Sequence, residues 1–481
     1  MPLTDDEILG QNRWWTEPGW RARDPHLDRL ERQPMRLSTE LVTTLDLDAP
    51  GIHLLRGPRQ VGKSTDLKLL VDRAIDAGRA PRSIVYLALD LLEGQGPAEL
   101  ARTVRRARDL AGVARIRVLL LDEVTAVERW QTAVKALWDD GDLRDVVVVC
   151  TGSSAVDLQR GAAERLPGRR EAGTDHLVLP QSFAAFARAL DGAIPRSPHL
   201  TVSELLTPDG AAALHDVRVH APTLDRALER YLRFGGLPAA VAEAATGHAE
   251  PTAETRRVLY DSLVRELQRR GASVAASQAL LERVVRSLGS KVSWSQMARE
   301  MDVPLGRGRG RPSHHTLRDY LELMAAGYFL LVVYYWRTSA HSNEQSKDKK
   351  VLFADPLLHT IALELAPGLR ASPAALVENA VGVALYRRYE PADQMPETFA
   401  LPQRLHIWQT ARGGEVDFVC GPRRELDVVE VKYQAKPGRS AASAAARAHP
   451  GRPVVLVTKD TLEASGAYAL VPASSLLWAL G

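Results

Sequence analysis

Short apolar runs separated by longer stretches of helical period dominate the first third of the chain. Residues 52–55, 83–87, 118–121, 146–150 and 177–179 predict strands buried on both faces, as in a parallel sheet, and residues 66–77 predict a helix after the first of them. Residues 184–275 are rich in Ala, Leu and Arg at helical spacing, which predicts a lid of packed helices. Three further helical segments, at 280–288, 294–301 and 313–325, precede an apolar strand pair beginning at Tyr328, the order of a winged helix-turn-helix. The run 341–349 is polar and reads as a mobile loop. Beyond it, strands at 415–419 and 428–432 flank a turn at Gly421-Pro422, followed by an Ala-rich helix at 440–448 and a buried strand at 454–457. The expected organisation is an N-terminal segment (1–49), an α/β core (50–183), a helical lid (184–275), a winged helix (276–340) and a C-terminal α/β domain (350–481).

One segment carries explicit chemistry. Gly57, Pro58, Arg59, Gln60, Val61, Gly62, Lys63, Ser64 and Thr65 fit the phosphate-loop pattern G-x-x-x-x-G-K-[ST], between a predicted strand and a predicted helix. The glycines let backbone amides close around phosphate oxygens, and the helix N-terminus adds its positive end. Lys63 is placed for the β- and γ-phosphates, and Ser64 for Mg²⁺. The implied cofactors are ATP and Mg²⁺.

The apolar run 118–121 ends in Asp122-Glu123. At the carboxyl end of a parallel strand, Asp122 would hold Mg²⁺ and Glu123 would polarise the attacking water, a pairing that points to hydrolysis. Thr151 and Ser153, at the tip of the strand 146–150, are candidates for sensing the γ-phosphate, although a plain turn explains either alone.

The combination GPRQVGKST, LLLDEV, CTGSS, Leu166-Pro167-Gly168-Arg169 and Leu179-Pro180-Gln181-Ser182-Phe183 resembles the extended AAA ATPases, and within them the archaeal-type ATPases related to STAND switch proteins. The resemblance implies five parallel strands in the order 5-1-4-3-2 with a helical lid. It also makes Arg169 a candidate arginine finger, a group that acts either in cis or across a subunit boundary of a homo-oligomer, two alternatives the sequence leaves open. A solvated basic loop containing Arg165, Arg169 and Arg170 is the competing reading. Tyr231-Leu232-Arg233-Phe234-Gly235-Gly236-Leu237-Pro238 resembles the family's lid motif, with Arg233 either near the nucleotide or in a surface ion pair.

The winged helix has two readings: DNA contact, with Arg307, Arg309 and Arg311 on phosphates, or packing between domains. In the C-terminal domain, Asp417, Glu430 and Lys432 would meet if their strands pair in suitable register, and buried acids need a matching charge. This resembles the PD-(D/E)xK arrangement of restriction-endonuclease-like proteins, with Glu378 on a preceding helix as a further acid and Val416 where the strict motif has Pro. The resemblance implies Mg²⁺ on Glu378, Asp417 and Glu430, with Lys432 steadying the attacking water.

Across 481 residues, 62 basic and 59 acidic side chains give a net charge of +3, which argues against binding nucleic acid through bulk charge. Two cysteines, Cys150 and Cys420, form neither a disulfide framework nor a zinc site and fit a reducing cytosol. No apolar run reaches the roughly 20 residues that span a bilayer, and no secretory signal is visible, so a cytoplasmic protein without membrane contact is expected. The leading reading is an ATP-hydrolysing protein whose nucleotide state controls a DNA-directed, Mg²⁺-dependent nuclease-like module. The alternative is a switched regulatory or binding protein whose nuclease-like fold does not cut. A small-molecule kinase needs neither the Asp-Glu pair nor the appended domains.

Overall fold

The computed structural model describes residues 2–33, 41–112, 115–152, 174–269, 271–305, 310–337, 342–366, 368–390, 399–409, 415–422, 425–434, 451–465 and 468–481. The chain divides into two compact units, Met1–Leu179 and Pro180–Gly481.

The first unit is built on strands β1 (Gly51–Arg56), β2 (Ile84–Ala88), β3 (Val118–Asp122), β4 (Val147–Thr151) and β5 (Asp175–Leu177). All pairings are parallel and the order is β2-β3-β4-β1-β5, which is the expected 5-1-4-3-2 sheet read from the other edge. The fifth strand lies two residues earlier than its apolar pattern suggests, because backbone pairing with Leu54–Arg56 fixes it. Strands β1, β3 and β4 are buried along their whole length, as a parallel sheet covered on both faces requires.

The N-terminal segment closes an edge of this sheet. A free edge strand exposes unpaired backbone groups, and on β2 these are met by side chains. Trp14 and Trp15 donate their indole N–H groups to the Ile84 carbonyl at 3.1 and 2.9 Å. Asn12 brackets Tyr86, donating to its carbonyl and accepting from its amide, both at 2.8 Å. Gln11 accepts from the Ala88 amide at 2.9 Å.

The second unit begins with helices that include Phe183–Leu190, Ala221–Phe234, Pro238–Ala245 and Ala253–Gln268. Gly235 and Gly236 end the second of these in close contact. A Cβ on Gly235 (φ +66°) would fall 1.8 Å from the Asp355 carboxylate, and one on Gly236 would fall 2.0 Å from the Gln181 carbonyl. Asp355 accepts from the Gly236 and Leu357 amides at 2.8 and 2.9 Å, while burial pushes its pKa up to about 6. The glycines are therefore needed for approach as well as for a turn. Arg233 pairs with Glu250 at 3.2 Å.

Helices Val274–Ser287, Trp294–Arg299 and His314–Ala326 follow, then the antiparallel hairpin β6 (Leu330–Arg337) and β7 (Ser342–Phe353). An isolated antiparallel bridge joins Val292 to Lys349 of β7, so three helices and a hairpin follow one another in the order expected of a winged helix. The expectation of a mobile loop at 341–349 is corrected here. All of it but residue 341, which lies outside the described residues, is strand, because β6 supplies the backbone partners that side-chain polarity cannot reveal.

The hairpin also joins the C-terminal sheet. With β8 (Leu405–Gln409), β9 (Glu415–Cys420), β10 (Asp427–Val431), β11 (Val454–Thr458), β12 (Glu463–Ser465) and β13 (Tyr468–Pro472), it forms a mixed sheet ordered β12-β13-β11-β10-β9-β8-β6-β7. The boundary expected between 340 and 350 thus falls inside one sheet. Helix Pro373–Tyr389 lies on it so closely that a Cβ on Gly382 would meet Leu352 at 2.5 Å and Phe418 at 2.8 Å. The expected helix at 440–448 lies outside the described residues. Among the described residues, no helix is long and apolar enough to cross a membrane.

Candidate functional sites

In the first unit, β1 runs into the loop Gly57–Gly62 and then into helix Lys63–Asp76. Gly57 (φ +149°) has no room for a side chain, since a Cβ would sit 2.0 Å from the Val178 carbonyl oxygen. Gly62 (φ +103°) turns the chain into the helix in the left-handed region, where glycine is at ease. No side chain caps the N-terminus of this helix, which suits its first-turn amides to an anionic ligand.

Lys63 is buried and its ammonium donates to the carbonyls of Gly57 at 2.9 Å and Pro58 at 2.8 Å. Burial lowers its pKa, while the charges of Glu123 and Asp122 pull the other way. Asp122, at the end of β3, is held from both flanking strands. Tyr86 of β2 donates its hydroxyl to one carboxylate oxygen at 2.8 Å, and Thr151 of β4 donates to the other. The Thr151 hydroxyl also accepts the Glu123 amide at 3.1 Å, and Glu123 itself adopts φ +56°. Thr151 thus positions both acids. Burial, reinforced by the Asp122 charge, raises the Tyr86 pKa and keeps its hydroxyl a donor.

Sequence reasoning missed the groups behind this acid pair. Lys68 stacks its ammonium 3.6 Å above the Tyr86 ring and pairs with buried Asp24 at 3.4 Å. Asp24 in turn caps helix Pro25–Arg32 by accepting from the His26 and Leu27 amides. The N-terminal segment therefore supports the acid pair through Tyr86. Arg165, Arg169, Arg170 and Ser153 lie outside the described residues, as do Arg307 and Arg309. Arg311 is described and pairs with Asp302 at 2.7 Å.

In the second unit, β9 and β10 pair antiparallel with Phe418 opposite Val429, which sets Asp417 against Glu430. Asp417 accepts the Val431 amide at 2.8 Å, and its own amide donates to Glu430 at 3.2 Å. Lys432, one residue past the strand, reaches Glu430 at 2.6 Å. The register expected from the sequence is present, and these three residues meet. Burial and the Asp417 charge raise the Glu430 pKa. Burial works against the Lys432 ammonium, yet its bond to Glu430 raises its pKa.

Lys350 of β7 stands between the helix acid and the strand acid, 2.6 Å from Glu378 and 2.7 Å from Asp417, and is 1% exposed. Its surroundings follow from local packing. Asn379 clamps helix Pro373–Tyr389 to β7 by bonding the Phe353 amide at 2.8 Å and carbonyl at 2.9 Å. Glu378 is its neighbour, one turn before Gly382. Among the described residues, no group of three or more His, Cys, Asp or Glu side chains is arranged to hold a metal ion. Of the expected metal set, Glu378 and Asp417 both face the Lys350 ammonium, and Glu430 pairs with Lys432.

Residues 49–187 match the model of an AAA domain family, and residues 225–367 and 374–476 match two domains of unknown function, DUF8612 and DUF4143. The first segment is thus similar in sequence to an AAA domain, a class of nucleotide-binding ATPase. No curated protein matches the chain. Among solved structures, the Aeropyrum pernix ORC2 protein in its ADP form is similar at 11% identity over 76% of this chain and 96% of that one, with a TM-score of 0.30. The same protein in ADPNP–ADP complexes matches at 11% identity over 73% and 97%, with a TM-score of 0.34. Drosophila ORC bound to DNA matches at 15% identity over 75% and 93%, with a TM-score of 0.21. Superpositions this loose carry no argument about the chain.

Proposed function

We propose that the chain binds ATP with Mg²⁺ at the loop Gly57–Thr65, hydrolyses it, and uses the nucleotide state to control its C-terminal module. The observation that carries this reading is the acid pair fixed beside the loop, with Asp122 gripped from both sides by Tyr86 and Thr151. The loop amides and Lys63 would bind the phosphates. Ser64 and Asp122 would hold Mg²⁺, which supplies Lewis-acid stabilisation of phosphate charge when bound. The Asp122 carboxylate keeps lone pairs beyond those used by the two hydroxyls. Glu123 would accept the proton of the attacking water, its backbone anchored on Thr151. Replacing Glu123 with Gln keeps the shape and removes the base. ATP turnover is expected to fall about 100-fold or more, read as phosphate release, while ATP binding persists. Unchanged turnover would remove Glu123 from this role.

A second reading concerns the C-terminal module. DNA is its expected partner and the PD-(D/E)xK resemblance its expected fold, but the Lys350 bridge between Glu378 and Asp417 favours a module that binds without cutting. Plasmid incubated with the protein and Mg²⁺ or Mn²⁺, with and without ATP, is expected to remain intact. Cutting that disappears in Glu430→Ala would restore the nuclease reading.

A further inference from the structure

We infer that Lys350 is a resident cation: its ammonium, delivered by β7, takes the place between Glu378 and Asp417 that a divalent metal would need, so the C-terminal module holds its acids together without one. The inference rests on the second reading above, a nuclease-like arrangement that does not cut, and explains it.

The geometry leaves little choice. One oxygen of Glu378 and one of Asp417 face a single nitrogen at 2.6 and 2.7 Å. A Mg²⁺ bridging the same oxygens would sit about 2.0–2.1 Å from each, inside the space the ammonium fills. The other oxygen of Asp417 accepts the Val431 amide. Glu430, the third acid of the expected set, is neutralised separately by Lys432 at 2.6 Å. Three carboxylates are thus matched by two ammoniums and by backbone amides.

A tethered cation has two consequences that a metal does not. It cannot be removed by a chelator, and it cannot leave a coordination position open for water, so no metal-bound nucleophile is generated here. The arm that carries it is fixed at both ends of its neighbourhood. Lys349, the preceding residue, turns to the other side of β7 and lies 4.6 Å from the Trp294 ring of the winged helix. Asn379 locks the following segment at Phe353.

Mn²⁺ binding to nucleotide-free full-length protein, followed by electron paramagnetic resonance, tests the inference. Wild type and Asp417→Asn are expected to bind the same number of Mn²⁺ ions, since Asp417 contributes to none. Lys350→Met is expected to gain one ion, and the Lys350→Met/Asp417→Asn double variant to lose it again. A Mn²⁺ ion bound by wild type and lost in Asp417→Asn would overturn the inference, even if plasmid still survives and the non-cutting reading stands. A folded Lys350→Met protein that gains no ion would overturn it too. If Lys350→Met does not fold, the comparison of wild type with Asp417→Asn decides alone.

Discussion

Lys63→Met is expected to weaken ATP binding by about 10- to 100-fold, measured by titration calorimetry with Mg·ATP on full-length protein. A charge-assisted hydrogen bond is worth about 1.5–3 kcal/mol, and each 1.4 kcal/mol is a factor of ten in affinity. The methionine keeps most of the apolar stem, so the loss isolates the ammonium. In the structure that ammonium already bridges the loop, from the first helical residue back to the Gly57 and Pro58 carbonyls. It also offsets the charges of Asp122 and Glu123, both of which act on its titration. Without it, the site would present two carboxylates to an anionic ligand with less positive charge to balance them. Circular dichroism of the variant should match wild type, because Lys63 lies at the start of its helix and no side chain caps that end. Parent-like affinity in a folded variant would end the assignment of this loop as the nucleotide site.

The proposed nucleotide site is legible in the sequence because its determinants are local. Nine consecutive residues define the loop, and the glycines at 57 and 62 are demanded by conformations that the motif itself encodes. Asp122 and Glu123 announce themselves at the end of an apolar run, and the sheet order follows from the family resemblance. Hidden from that reading are partners distant in sequence whose residue types carry no pattern. Asn12 is one polar residue among many until it brackets Tyr86 across the edge of β2. Lys68 sits on a helix of ordinary amphipathic appearance, yet it connects Asp24 to the ring that holds Asp122. The strand tip makes Thr151 a candidate for facing the γ-phosphate, but its bonds to Asp122 and the Glu123 amide carry no sequence pattern.

The C-terminal module is legible in its register and hidden in its charge balance. Alternation of side chains along β9 and β10, with the pairing of Phe418 opposite Val429, brings Asp417, Glu430 and Lys432 together. The polar run before Val351 misleads, because a strand is stabilised by backbone pairing that composition does not report. Within that run Lys349 and Lys350 look alike, and the period of two sends them to opposite sides of β7. Burial lowers the Lys349 pKa to about 8, whereas two carboxylates hold Lys350 protonated despite burial. The strand thereby belongs to both neighbours, touching the winged helix through Val292 and Trp294 and the acids of the C-terminal sheet through Lys350.

Lys350→Met should lower the stability of the unit Pro180–Gly481 by about 3–5 kcal/mol, the usual cost of removing one partner from a buried ion pair. Urea titration followed by tryptophan fluorescence measures it. The loss arises from what remains: Glu378 and Asp417 would face each other in a buried site with no cation between them. The triple variant Lys350→Met, Glu378→Gln, Asp417→Asn removes that repulsion, and should recover a large part of the lost stability, since uncharged groups of similar shape replace the ion triad. The direction of this recovery separates electrostatics from packing. If cavity or shape effects of the methionine dominated, the two further substitutions would add to the damage. Added Mg²⁺ gives an independent check, because a site vacated by the ammonium but still carrying both carboxylates should be stabilised by the ion through linkage. Wild type, whose acids are already neutralised, should show no such gain through Asp417, and a Mg²⁺ stabilisation of wild type abolished by Asp417→Asn would contradict the assignment of Lys350 as their counter-charge.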